Sequence, residues 1–146
     1  MKGQVQASLV ALAVVAVAAG VAVGRSSGVS AGLGVSAVAL ALTGAYGWWS
    51  LRTGPHVSWT QATEQLAQGQ AVVLWKPGCV YCERLLRALG RNERVTWVNV
   101  WQDEDANARV RSLNDGNELT PTVLVGDQVL RNPSAGEVEA RLSRGR

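Results

Sequence analysis

The sequence predicts an α/β domain, built on a mixed four-stranded sheet flanked by helices, that follows a hairpin of two membrane-spanning helices. Two observations support this fold class. The first 50 residues contain long uncharged runs, and Lys2 and Arg25 are their only charged side chains. All 11 acidic side chains come later, where strand-like and helix-like patterns alternate. We therefore divide the chain into a transmembrane hairpin over residues 1–50, a linker over 51–57 and a folded domain over 58–146.

Two uncharged runs, residues 5–23 and 29–49, predict the hairpin. Each run is long enough to cross a hydrocarbon core of about 30 Å as a helix. The polar segment from Gly24 to Gly28 separates them and is expected to form the turn. Tyr46, Trp48 and Trp49 close the second run, as aromatic side chains do in the headgroup layer. Glycines at positions 20, 24, 28 and 32 have the spacing that lets helices approach closely in lipid, although the turn is expected to include the middle two.

Positive charges predict the orientation of the hairpin. Lys2, the N-terminal amine and Arg52 would lie on one side of the membrane, and Arg25 on the other. The excess of basic residues places both ends and the folded domain in the cytoplasm, at the cell membrane. An alternative is that the first run is a signal peptide cleaved after Ala16-Val17-Ala18. The length of that run and the immediate second span favour the hairpin.

The first three elements of the folded domain follow from helix signals and one apolar run. Ser58 to Gln61 form a capping-box pattern that opens a helix ending at Gly69. Residues 71–75 are continuously apolar, as in a strand buried on both faces. Residues 79–89 carry leucines at helical spacing and end before Gly90.

The remaining elements complete the order α-β-α-β-α-β-β-α. Residues 95–101 predict a second strand, and residues 103–113 a polar helix. Gly126-Asp127, between residues 122–125 and 129–130, predicts a β-hairpin. Ser134 and Glu137 form another capping box, which starts a last helix through Leu142. This alternation predicts a mixed sheet with a parallel centre and helices on both faces.

The candidate chemistry lies in Cys79-Val80-Tyr81-Cys82, which follows a buried strand and opens a helix. A helix N-terminus favours a thiolate, so Cys79 is the expected nucleophile, and Lys76 adds a nearby positive charge. Cys82 lies one turn deeper, where it can attack a mixed disulfide formed on Cys79. A zinc site within one chain would need two more ligands, but the chain has only these two cysteines and His56. The motif therefore predicts a redox-active disulfide and no metal site.

These motifs resemble the thioredoxin superfamily over residues 72–142, and most closely its glutaredoxin and mycoredoxin branch. The resemblance is carried by the CxYC form of the cysteine motif and by Thr120-Pro121-Thr122 ahead of a strand. The segments 114–117 and 132–134 look particularly like mycoredoxin-type proteins of actinobacteria. The resemblance implies a thioredoxin-like fold with a cis proline at Pro121 facing the nucleophilic cysteine.

The resemblance also implies a substrate groove. In that family the backbone of the residue matching Thr120 pairs with the substrate, and we expect Lys76, Tyr81, Pro121 and Ser134 to shape the site for the small thiol. Glutathione-binding members usually have a Gly-rich segment with an Asp where this chain has residues 132–134. The composition, rich in Ala, Val and Arg, suggests a GC-rich genome and hence mycothiol. Mycothiol or glutathione is therefore the expected co-substrate, with no tightly bound cofactor.

The resulting expectation is a membrane-anchored thiol–disulfide oxidoreductase that reduces mixed disulfides or protein disulfides. Three alternatives remain open at this point. The domain could face outward as a disulfide oxidase or isomerase, two chains could hold an iron–sulfur cluster, or the fold could only dock partners in an assembly. The net charge of +3 comes from scattered arginines, which predicts no nucleic-acid partner. The oligomeric state is not predicted.

Overall fold

The computed structural model describes residues 2–144, which divide into two compact units with the boundary between Arg52 and Thr53. The first unit is a pair of helices, α1 (Lys2–Ser27) and α2 (Val29–Leu51). Gly28 alone separates them, with a φ of 96° that favours glycine. The predicted polar turn is therefore shorter than expected, because the residues before Gly28 complete the last turn of α1.

Glycines allow α1 and α2 to pack closely. A Cβ atom at Gly32 would overlap the carbonyl oxygen of Gly20 and would lie 2.7 Å from the Cα atom of Gly24. Gly24 thus belongs to the helix contact and not to the turn. The segments Val5–Ser27 and Val29–Leu51 have mean hydropathies of 2.4 and 1.6, and both are long and apolar enough to be candidate membrane spans.

The second unit has the predicted order of elements. They are α3 (Trp59–Ala67), β1 (Ala71–Trp75), α4 (Val80–Leu89), β2 (Val95–Asn99), α5 (Glu104–Ser112), β3 (Thr122–Val125), β4 (Gln128–Arg131) and α6 (Ala135–Arg144). The capping box of Ser58 and Gln61 is present at the start of α3. The second strand is two residues shorter than predicted, because Val100 and Trp101 turn away towards α5.

The strands form a mixed four-stranded sheet in the order β2-β1-β3-β4. β1 pairs parallel with β2 and antiparallel with β3, and β3 pairs antiparallel with β4. The expectation of a parallel centre was therefore wrong, since the central pair β1–β3 is antiparallel. The reason is that residues 113–121, after α5, bring the chain back to the end of the sheet at which β1 finishes. Leu74, near the end of β1, consequently pairs with Thr122 at the start of β3.

Helices cover both faces of the sheet, as predicted. Alternate residues of β1 enter two separate cores. Val73 and Trp75 pack with α4 and α6, whereas Val72 and Leu74 pack with α3 and α5. This mixed sheet flanked by helices is the thioredoxin-like arrangement that the resemblance implied.

Residues 53–57, which the sequence suggested as a linker, are hydrogen-bonded to the domain. The Asn99 side chain donates to the Thr53 carbonyl at 2.8 Å, and the Val57 backbone N–H donates to the Trp97 carbonyl at 3.0 Å. This segment therefore runs along the outer edge of β2.

Candidate functional site

Cys79 lies where β1 gives way to α4. The buried strand ends at Trp75, and Gly78, with a φ of 74°, lets the chain turn sharply into the helix. Cys79 is the N-cap residue of α4, and its Sγ accepts a hydrogen bond from the backbone N–H of Cys82 at 3.4 Å. The sulfur thus takes the place that a capping oxygen usually takes, next to the unpaired backbone donors of the first helical turn.

The two thiols have opposite acidities. A hydrogen bond from the Cys82 thiol is the main cause that lowers the pKa of Cys79 to about 6; burial opposes it, while the backbone donors of Cys82 and Tyr81 assist it. Burial is the main cause that raises the pKa of Cys82, and the adjacent charge of Cys79 adds to it. At neutral pH this arrangement gives a thiolate at the half-buried Cys79 and a neutral thiol at the buried Cys82.

Thr120 and Pro121 form the wall opposite the cysteines. The peptide bond between them is cis, as the resemblance implied. The protonated Cys79 thiol donates to the Thr120 carbonyl at 3.3 Å. Thr120 itself is only 8% exposed. The start of β3 therefore holds a backbone acceptor directly against the sulfur expected to react.

Tyr81 and Ser134 line one groove, and the lining of this groove does not include Lys76, Thr120 or Pro121. The groove has a volume of about 350 Å³ and lies between α4 and the start of α6. Tyr81 is 55% exposed there. The backbone N–H and the hydroxyl of Ser134 both donate to the Glu137 carboxylate, at 2.8 and 2.7 Å. The predicted capping box is thus present, and it engages the polar groups of Ser134 within the protein.

Lys76 lies near the site, but its ammonium group is directed to Glu118. The distance from Lys76 Nζ to Glu118 Oε1 is 2.9 Å, and Nζ also lies 5.7 Å from the centre of the Trp101 ring. The pKa of Cys79 is lowered by hydrogen bonds to its sulfur, chiefly from the Cys82 thiol. The expected support of the thiolate by this lysine is therefore replaced by hydrogen bonds around the sulfur.

Glu118 is a residue that the sequence analysis did not identify. Its carboxylate accepts hydrogen bonds from Lys76, from Trp101 Nε1 at 3.0 Å and from Asn107 Nδ2 at 2.6 Å. Burial raises the pKa of Glu118, but these donors outweigh burial and hold the pKa below its usual value. The donors are 42, 17 and 11 positions away in the chain, so local spacing gives no signal for the cluster.

A metal centre needs several ligands that meet in space, and the structure describes residues 2–144. In this part of the chain the structure brings together no group of three or more His, Cys, Asp or Glu side chains that could hold a metal ion. The arrangement that it does bring together, a thiolate, a second thiol and an open groove, is suited to exchange of a disulfide with a small thiol.

Known proteins with similar sequences share this part of the molecule. Residues 71–130 match the glutaredoxin family. Mycoredoxin 1 of Corynebacterium glutamicum, recorded from two strain designations, is 43% identical over 65 residues, which are 44% of this chain and 81% of that protein. Residues 71–130, which match the glutaredoxin family, contain both cysteines, the cis proline and strands β1 to β3. The chain therefore belongs to the glutaredoxin family of the thioredoxin superfamily, on its mycoredoxin-like side, and is a thiol–disulfide oxidoreductase.

Proposed function

We propose that this protein is a membrane-anchored reductase of mixed disulfides, with Cys79 as the nucleophile and Cys82 as the resolving thiol. The observation that supports these roles best is the opposite shift of the two thiol pKa values. A nucleophile must be a thiolate at working pH, and a resolving thiol must stay protonated until the mixed disulfide has formed.

The first step transfers the small thiol to the protein. The Cys79 thiolate attacks the small-thiol sulfur of a protein mixed disulfide, so a new bond joins that sulfur to Cys79 Sγ while the bond to the substrate protein breaks. The substrate leaves as a thiolate and takes a proton from water. The backbone of Thr120, held against Cys79 by the cis peptide bond, supports orientation of the incoming disulfide.

Two routes resolve the mixed disulfide on Cys79. Cys82 can lose its proton and attack Cys79 Sγ, which releases the small thiol and leaves a Cys79–Cys82 disulfide; two further small thiols then reduce this disulfide and leave as one small-molecule disulfide. Alternatively, a second small thiolate attacks the bound one, releasing a small-molecule disulfide and the Cys79 thiolate. In both routes two electrons come from two thiols, and one disulfide is reduced for each disulfide formed.

Mycothiol is the proposed small thiol. The similar protein is named a mycoredoxin, and residues 132–134 depart from the pattern of glutathione-binding members. The test is turnover of one peptide mixed disulfide with mycothiol, glutathione and thioredoxin recycling systems compared side by side. Fastest turnover with mycothiol is expected. Turnover with only the thioredoxin system would overturn the choice of small thiol.

The candidate spans support an anchor in the cell membrane with the catalytic domain in the cytoplasm. Arg25 lies in the last turn of α1, at the opposite end of the hairpin from Arg52. The basic residues at the ends of the hairpin thus favour cytoplasmic termini, where the thiols stay reduced. A fluorescent reporter fused after the C-terminus should be active in the cytoplasm. Activity of periplasmic alkaline phosphatase fused at the same point would reverse the orientation and favour an oxidase.

A further inference from the structure

We propose that Glu118 is a specificity-determining residue: by holding the ammonium group of Lys76 in an ion pair, it makes the approach to Cys79 selective against small thiols that carry carboxylates. The inference rests on the proposed function, because it concerns which small thiol the site accepts. It adds a residue outside the cysteine motif and gives the chemical basis of the selection.

The ion pair joins the two loops that meet at Cys79. Lys76 follows β1 directly and comes three residues before Cys79. Glu118 comes two residues before Thr120, whose carbonyl lies 3.3 Å from Cys79 Sγ. A charge on either member is therefore carried by one of the two segments that flank Cys79.

The pair is fixed by its surroundings. The side chain of Glu118 is only 2% exposed and that of Lys76 is 19% exposed. Trp101 and Asn107 hold the carboxylate from two further directions. If Lys76 turned away to bind a ligand, it would leave a buried carboxylate without its counter-charge, which is strongly unfavourable. Lys76 is consequently not available as an anion-binding group.

The groove on the other side of Tyr81 is also neutral. Its charged lining residues are Arg84 and Glu137, which carry opposite charges. The Glu137 carboxylate already accepts the Ser134 backbone N–H at the start of α6. The Arg84 guanidinium packs over the Tyr81 ring, 5.8 Å from its centre. At Lys76, glutathione, which has two carboxylates, would lose hydration and find the ammonium group already paired with Glu118. An uncharged thiol rich in hydroxyl groups incurs no such cost.

A cycle of charge variants tests the inference. Full-length protein in detergent micelles is reduced and reacted in a single turnover with one peptide, whose cysteine carries either glutathione or 2-mercaptoethanol. The discrimination is the second-order rate constant for the 2-mercaptoethanol probe divided by that for the glutathione probe. This ratio cancels effects on the Cys79 thiolate that both probes share.

The discrimination should follow the net charge of the pair. Glu118→Gln leaves Lys76 unpaired and should lower the discrimination about fivefold at low salt, as one charge at several ångströms near a protein surface would. Lys76→Gln should raise it by a similar factor. The double variant restores neutrality and should return to the wild-type ratio within about twofold, and salt should diminish both single effects.

Three results would overturn the inference. In the first, Glu118→Gln folds, as judged by circular dichroism, and slows the reaction with both probes equally, which indicates a merely structural residue. In the second, Glu118→Gln does not fold, and Lys76→Gln has the same discrimination as the wild-type protein. Failure of the wild-type protein to react with either probe would instead refute the proposed function, and the inference with it.

Discussion

At the scale of single residues, the reactivity of the site depends on how each cysteine is hydrogen-bonded. Cys79 Sγ receives hydrogen bonds that favour its ionised form, whereas Cys82 is fully buried. The Cys82 thiol is the main donor to Cys79. The resolving residue is therefore also part of what makes the nucleophile reactive.

Replacing Cys82 should expose this dependence. In Cys82→Ala the pKa of Cys79 should rise from about 6 by roughly one unit, because one hydrogen bond to a charged group is lost. The rate of alkylation of Cys79 by iodoacetamide as a function of pH gives the midpoint. Cys82→Ser keeps a donor at this position and should shift the midpoint less. Equal midpoints for Cys79 alkylation in the wild-type protein and both variants would show that the Cys82 thiol does not lower the pKa of Cys79.

The same two positions predict different kinetic defects. Cys79→Ser should abolish all thiol–disulfide exchange. Cys82→Ser should accumulate mixed disulfides on Cys79 and lose reduction of protein disulfides, while an external thiol can still release a small thiol from a protein. Mass spectrometry of trapped peptides gives the position of the mixed disulfide. Full activity in Cys79→Ser would show that the order of the two thiols is reversed.

At the scale of elements, helix starts serve as junctions between parts of the domain. Asp103 caps α5 by accepting the Ala106 backbone N–H at 2.9 Å, and its other carboxylate oxygen accepts the Trp59 backbone N–H at 2.7 Å. One side chain thereby stabilises the first turns of α3 and α5, which cover the same face of the sheet. The sequence analysis included Asp103 in the predicted helix over residues 103–113 and did not identify it as a cap; its second partner, Trp59, lies 44 positions away.

Asp103→Ala should therefore destabilise the domain by about 2 kcal/mol, more than a single lost cap, because it leaves two backbone donors unpaired. Urea unfolding of the full-length protein in detergent, followed by tryptophan fluorescence, measures the change. Asp103→Asn retains one acceptor oxygen, so its free energy of unfolding should fall by about half as much. A change below about 0.5 kcal/mol for Asp103→Ala would show that water replaces both hydrogen bonds.

At the scale of the whole molecule, each of the two units has its own hydrophobic packing. The folded domain builds its cores from the two faces of its sheet. The folded domain nevertheless begins at Thr53, inside the predicted linker and earlier than the predicted start at residue 58. The carbonyl of Pro55 accepts the Trp75 indole N–H at 3.0 Å, and Thr53 is also hydrogen-bonded. Residues 53–57 are therefore expected to stabilise the domain.

A chain truncated to begin at Thr53 should be soluble and retain exchange activity, because its cores do not need the hairpin. A chain beginning at Ser58 should unfold at a lower temperature, since it loses the hydrogen bonds to the edge of β2 and to the buried Trp75. Thermal unfolding and single-turnover activity of both chains make the comparison. Insolubility of the longer chain would show that the hairpin is part of the fold.

The sequence by itself determined the features that depend on near neighbours in the chain. Continuous apolar runs located the first strands, and leucines at helical spacing located α4. The capping box at Ser58 marked a helix start that the structure contains. The uncharged runs identified the candidate spans. The spacing of Cys79 and Cys82, after a strand and at a helix start, gave the candidate redox motif.

Only the tertiary structure decided the features that need distant segments to meet. The antiparallel entry of β3, which brings Thr120 to Cys79, depends on the path of the chain after α5. The pairing of Glu118 with Lys76 spans 42 positions. The acidities of the two thiols follow from burial and from hydrogen bonds across such contacts. Periodicity reports which face of an element is apolar, but the partner of a buried charge is set by three-dimensional packing.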